Sequence, residues 1–176
     1  MPQTHSAPTR KPKSLRPVAT PPDFDGHPNT PHRHTGPQQR DQVFRYIAGF
    51  GTHEAEAIII SNHRTKREQV TVKQLADRLS AVFGVRKKQA AILMGVSESA
   101  LSRNTDVSAD MLDRTLQASE VFADVVSVLG SAQARKWFGT PNPALENQAP
   151  VQLLSSRVGE KRVQQVIGAL LDGAYL

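Results

Sequence analysis

Apolar residues recur at helical spacing along most of the chain, and about the first forty residues are the longest stretch outside the pattern. Val43, Phe44, Ile47 and Ala48 mark a first helical stripe, which Gly49 to Gly51 ends. Thr52 to Ser61 contains Ile58-Ile59-Ile60, compatible with a helix or a buried strand, and helix is the favoured reading. Asn62 to Gln69 is charged and reads as a surface connection. Thr71-Val72-Lys73-Gln74 is a capping-box pattern opening a helix whose stripe is Val72, Leu75, Leu79, Val82 and Phe83, with Gly84 as its stop. A short helix is expected from about Arg86 to Met94, and another from after Ser97 to about Asn104. Ser108 caps a longer helix carrying Met111, Leu112, Leu116, Val121, Phe122, Val125, Val126 and Leu129; Gly130 ends it and Ser131 opens a helix to Gly139. Pro141 and Pro143 force an extended crossing, because each disfavours helical geometry in the residue before it. Pro150 suits the first turn of a short helix reaching Leu154. Ser156 caps a last helix striped by Val163, Val166, Ile167, Leu170 and Leu171, ended by Gly173. No segment alternates over strand length, so the expected fold is all-α.

Composition separates the N-terminus from the rest. Nine of the twelve prolines and four of the six histidines fall in residues 1–37. Leu15, Val18 and Phe24 stand alone there, too few to offset chain entropy, so residues 1–40 read as a disordered, basic, proline-rich tail. Its cluster Arg10, Lys11, Lys13 and Arg16 could track phosphates, act as a protease-sensitive handle or be a plain solvated extension.

Charge changes the picture more. Residues 62–104 hold nine basic against three acidic residues, whereas residues 105–176 hold six basic against eight acidic. A basic module beside a mildly acidic one suggests a polyanionic partner for the first and a protein partner for the second. The chain has no cysteine, so it has no disulfide framework, as suits a cytoplasmic protein. No apolar run approaches membrane-spanning length, and the N-terminus lacks the apolar core of a secretory signal.

Within the basic module the spacing fits a helix-turn-helix centred on Gly95. Ala90 and Ala91 are small where two helices would cross; Met94, Val96 and Leu101 are core positions, and Ser97 is a cap. The outward positions Glu98, Ser99, Ser102, Arg103 and Asn104 include types that read base edges and bind phosphates, and Ser97 joins Ser99, Ser102, Arg103 and Asn104 as a candidate DNA-binding residue. Arg86, Lys87 and Lys88 would meet backbone phosphate. The competing reading is a plain helical hairpin with a charged solvated face.

The C-terminal third carries a spaced pattern: Trp137, then Thr140-Pro141-Asn142-Pro143-Ala144-Leu145, then Pro150 with Leu153-Leu154, Gly159, Val163, Gly173 and Tyr175. This resembles the toxin-binding domain of Xre/MbcA/ParS-type antitoxins, which pair with RES-domain toxins. The resemblance reaches from about Thr71 to Leu176 and is strongest from Trp137 onward; Gly95 to Arg103 is similar to a short segment in the N-terminal half of that family. It implies a helix-turn-helix region over 41–106 and a toxin-binding domain over 107–176. It further implies a homodimer that binds operator DNA and obstructs the pocket where the toxin uses NAD. In many relatives a glycine pair follows the leucine, where this chain has Glu146-Asn147; asparagine tolerates a left-handed turn. Trp137, Leu145, Leu153 and Leu154 are expected to be core, and Asn142 to bond backbone across the crossing. The toxin contact is placed on Arg162 and Gln165 of the last helix and on Gly173, Ala174, Tyr175 and Leu176 after it.

No phosphate loop, nucleophile triad or metal-ligand spacing stands out. His32 and His34 lack further ligands nearby, and His53, Glu54 and Glu56 miss the spacing of a helical zinc site. The chain is therefore expected to be a binding protein with no catalytic residue, no cofactor and no small-molecule substrate. A DNA-binding regulator that keeps the C-terminal domain only for dimerisation is the alternative.

Overall fold

A computed structural model describes residues 20–25, 37–61, 70–102 and 105–172. Within these the chain is helical: α1 (Pro37–Ala48), α2 (Thr52–Ser61), α3 (Val72–Phe83), α4 (Lys87–Leu93), α5 (Ala109–Leu129), α6 (Ser131–Gly139), α7 (Pro150–Leu153) and α8 (Arg157–Leu171). Two short 3-10 turns, Glu98–Ser102 and Pro143–Leu145, complete it. Extended pairing among the described residues is limited to two isolated antiparallel bridges, Thr71 with Asp106 and Asn142 with Gln148.

The termini of the helices follow from their sequence. Thr71 Oγ1 accepts from the Gln74 N–H, and Gln74 Oε1 accepts from the Thr71 N–H, closing the expected capping box of α3. Gly84 ends α3 at φ 65°, a left-handed conformation that glycine adopts without a Cβ clash. Ser108 and Ser156 cap α5 and α8 by accepting from the Met111 and Gly159 amides. The triple isoleucine resolves as helix. Successive 100° steps bury Ile58, leave Ile59 half-buried and turn Ile60 out to 86% exposure.

The long helix α5 organises the rest. Its twenty-one residues span roughly 30 Å at 1.5 Å per residue, and α1, α2, α4, α6 and α8 all pack against it. Its buried Thr115 and Ser119 return their hydroxyls to the Met111 and Thr115 carbonyls at 2.7 and 2.6 Å, so their burial leaves no hydroxyl unsatisfied. Phe122 of α5 meets Phe83 of α3 at a centroid distance of 4.6 Å and Phe138 of α6 at 5.3 Å, and Phe83 and Phe138 close the triangle at 5.1 Å. All three rings are fully buried, and one continuous apolar core extends from Phe24 to Ile167.

Three expectations change. Glu98–Ser102 is a 3-10 turn instead of the start of an α-helix, with no fully buried residue to anchor it. Thr140 and Asn142, the residues before the two prolines, are extended as expected, but the crossing is short: Pro143–Leu145 turns sharply and Gln148 pairs back to Asn142. Two pieces of the stretch read as an unstructured tail are structured: Pro37–Arg40 is the first turn of α1, and Phe24 is 6% exposed among the helices. A lone phenylalanine carries no periodicity, so only the tertiary structure reveals its site. The remainder of residues 1–19 and 26–36, the basic cluster included, lies outside the described residues.

Asp41 connects α1 to α2. Its Oδ1 accepts from the Thr52 N–H at 2.8 Å, and its Oδ2 pairs with Arg45. Burial pushes its carboxyl up, but the hydrogen bonds from Thr52 and Arg45 outweigh that and hold it below its ordinary value. A depressed folded pKa contributes stability that is present above the unfolded value and lost as pH falls through the folded one. Replacing Asp41 by Ala should therefore destabilise the fold by about 1 kcal/mol at neutral pH. The gap to wild type should close in acid, below the ordinary aspartate range, as measured by denaturant unfolding at several pH values.

Candidate partner-binding surface

The segment from α6 to α8 is built around the Pro143 turn. Asn142 is its hub. Its side-chain oxygen accepts from the Ala144 N–H at 2.9 Å, its carbonyl accepts from the Leu145 and Asn147 amides, and its own N–H donates to the Gln148 carbonyl. The structural role expected of Asn142 is thus met. Leu145 is buried beneath the turn. Glu146 and Asn147 both lie in the left-handed region, at φ 56° and 58°. Asparagine tolerates that region, whereas glutamate there is strained, and a salt bridge of 2.8 Å from Arg162 of α8 holds the Glu146 side chain.

Gly159 acquires a physical reason. It is buried in the first turn of α8, where a Cβ would overlap the Leu153 carbonyl and the backbone around it at the end of α7. Only glycine lets α7 and α8 approach so closely. Pro150 opens α7 at a position needing no N–H donor, and Val163 and Ile167 fasten α8 to the core.

Two grooves open on this framework. One lies between the Pro143 turn and α8 and is lined by Ala144, Glu146, Arg162, Gln165, Val166 and Ala169. The structure brings Arg162 and Gln165 together there, both exposed. Ala169, Gln165 and Arg162 follow helical spacing, so that stripe was legible from periodicity; Glu146 was not, because only the turn carries it onto α8. The second groove is more apolar and runs along α6, lined by Leu129, Lys136, Trp137, Pro141 and Pro143 among others. Trp137 is therefore no simple core residue. It packs edge-to-face on Phe138 at 5.3 Å and stays half-buried, with its remaining surface on the groove. Leu153 and Leu154 are likewise half-buried rather than core. Gly173, Ala174, Tyr175 and Leu176 lie outside the described residues.

The basic module presents a mixed arrangement. Gly95 sits at φ 71°, with Ala90, Ala91 and Met94 buried around the turn, whereas Val96 and Leu101, expected as core positions, are only half-buried against it. Arg86, Lys87 and Lys88 are exposed, and Lys87 is held by Asp77 at 2.6 Å. Ser97, Ser99 and Ser102 are exposed, but their hydroxyls are engaged locally. Ser97 and Ser99 oxygens lie 3.0 Å apart, and Ser102 donates to the Ser99 carbonyl. Arg103 and Asn104 lie outside the described residues. Among the described residues no group of three His, Asp or Glu side chains is placed to hold a metal ion, and no helix is long and apolar enough to cross a membrane.

Residues 117–173 match the model of the antitoxin Xre/MbcA/ParS C-terminal toxin-binding domain. That span runs from the middle of α5 to just past α8 and contains the Pro143 turn, Gly159 and both grooves. The match supports an antitoxin role with a toxin protein as partner. No curated protein and no solved structure matches the chain.

Two substitutions should act in opposite directions on this framework. Gly159→Ala should cost about 2–3 kcal/mol, because backbone must shift to admit the methyl group. Asn147→Gly should stabilise by a few tenths to about 1 kcal/mol by relieving the left-handed residue. Thermal and denaturant unfolding of the two variants checks both signs.

Proposed function

We propose that the chain is the antitoxin of a type II pair and that its partner is a RES-domain toxin that consumes NAD. The observation that carries this reading is the family match over residues 117–173, taken with the exposed groove that Arg162 and Gln165 share with Glu146 and Val166. Inhibition is steric. The outer face of α8 and the residues after it, Gly173 to Leu176, cover the toxin and deny NAD access to its pocket. The chain contributes no catalytic group to this; binding alone silences the partner.

The second activity in this reading is autorepression. Arg86, Lys88 and the Ser97–Asn104 segment contact operator DNA, as the positive-φ Gly95 turn and the exposed basic residues support. A five-residue 3-10 turn offers few contacts to a major groove, so this activity requires a homodimer spanning two half-sites. A regulator without a toxin is the competing reading. It would bind the operator fully while lacking any partner encoded beside it.

Co-expression with the protein of the neighbouring reading frame tests the proposal. The expected result is a stable complex and rescue of growth; no complex and no rescue would refute it. Arg162→Glu should weaken the complex by about tenfold or more, since arginines are enriched among residues that dominate interfaces. The same variant should leave helical content and DNA binding unchanged, as read by circular dichroism and gel shift.

A further inference from the structure

The helix that carries Trp137 has no cap of its own. α6 starts one residue after α5 ends, and that residue is Gly130, with φ 77° and no side chain to accept a hydrogen bond. The first turn of α6 contains no acidic residue, so its leading N–H groups would face solvent unpaired. A segment more than a hundred residues earlier supplies the missing group. The Asp25 carboxylate accepts from the Ser131 N–H, where the helix dipole also favours a negative charge. The Ser131 hydroxyl in turn accepts from the Phe24 N–H at 2.8 Å. One turn along α6, the Arg135 guanidinium donates to the Pro22 carbonyl at 3.0 Å and to the Val82 carbonyl at the end of α3. Gln39 of α1 donates to the Phe24 carbonyl at 2.9 Å, and the Phe24 ring meets Tyr46 edge-to-face.

We propose that residues Thr20–Asp25 are a releasable strap that caps α6 in trans and couples the N-terminal tail to the helix supporting the partner-binding surface. The last clause rests on the antitoxin reading; the latch itself does not. The strap inserts a single deeply buried side chain, Phe24, while Thr20, Pro22, Asp23 and Asp25 remain exposed and Pro21 is half-buried. One phenylalanine and a handful of hydrogen bonds stand against the entropy of ordering six residues, a near balance that lets the strap open without global unfolding. Opening removes the cap from α6 and frees one side of Arg135. The effect passes to α7, which packs on α6, and from there to α8. The charge of Asp23 adds to the hold. Its carboxyl is kept below the usual range chiefly by a hydrogen bond from Ser131, against a contribution from burial and with further help from Asp25 and Arg135.

Amide hydrogen exchange on the full chain tests the latch, comparing wild type with Asp25→Ala and Phe24→Ala. The expected result is exchange about tenfold faster at Ser131 to Arg135 in Asp25→Ala, with the α3 and α5 core amides unchanged. Phe24→Ala should accelerate the same α6 amides at least as much. Unchanged exchange at Ser131 to Arg135 in both variants would overturn the proposal. So would acceleration of all helices together, which would make the segment an inseparable part of the global fold. Because no partner enters the experiment, its failure is distinct from failure of the antitoxin reading.

Discussion

The Phe83–Phe122–Phe138 triangle is the contact on which the rest depends. Its rings come from α3, α5 and α6, so one closed cluster joins the basic N-terminal half, the long central helix and the helix that leads into the Pro143 turn. Removing one ring from such a packed site costs about 3–5 kcal/mol, a large share of the stability of a small domain. The triangle also fixes the azimuth of α6. With Phe138 turned inward, neighbouring Trp137 is rotated to the rim, and that rotation makes a groove out of an aromatic residue that would otherwise be core.

From this anchor the candidate partner surface is positioned by backbone constraints rather than by charge. Asn142 collects four hydrogen bonds at the mouth of the Pro143 turn, Gly159 lets α8 lie against α7, and Val163 and Ile167 pin α8 to the core. Arg162 and Gln165 are among the polar side chains that helical periodicity leaves outward once the inward stripe is fixed. The framework tolerates strain at Glu146 because the turn is over-determined: five backbone hydrogen bonds within residues 142–148 and the Arg162 ion pair hold it.

Local chemistry made the helices legible in the sequence. The Thr71–Gln74 box, the Ser108 and Ser156 caps and the Gly84 and Gly130 stops each act within one turn, and the structure places helix ends where they predict. Arg162 and Gln165 were legible for the same reason, as outward positions on a striped helix. What escaped depends on partners distant in the chain. Phe24 and Asp25 find their places only against α1 and α6, 106 residues on in the case of Ser131. Glu146 reaches α8 only through the turn. Glu98–Ser102 departs from the expected helix for a different reason. Ser97 is a sound cap by type, but no fully buried side chain follows it to hold a longer helix, and the serine hydroxyls close on their own turn.

The central claim is that binding resides on the outer face of α8 beside the Pro143 turn. Hydrogen exchange of the chain with and without the protein of the adjacent reading frame, the proposed toxin, addresses this most directly. The account predicts new protection in peptides covering residues 143–147 and 161–172, with little change in residues 86–102. Protection confined to residues 86–102, or none on α8 in a complex that demonstrably forms, would contradict it.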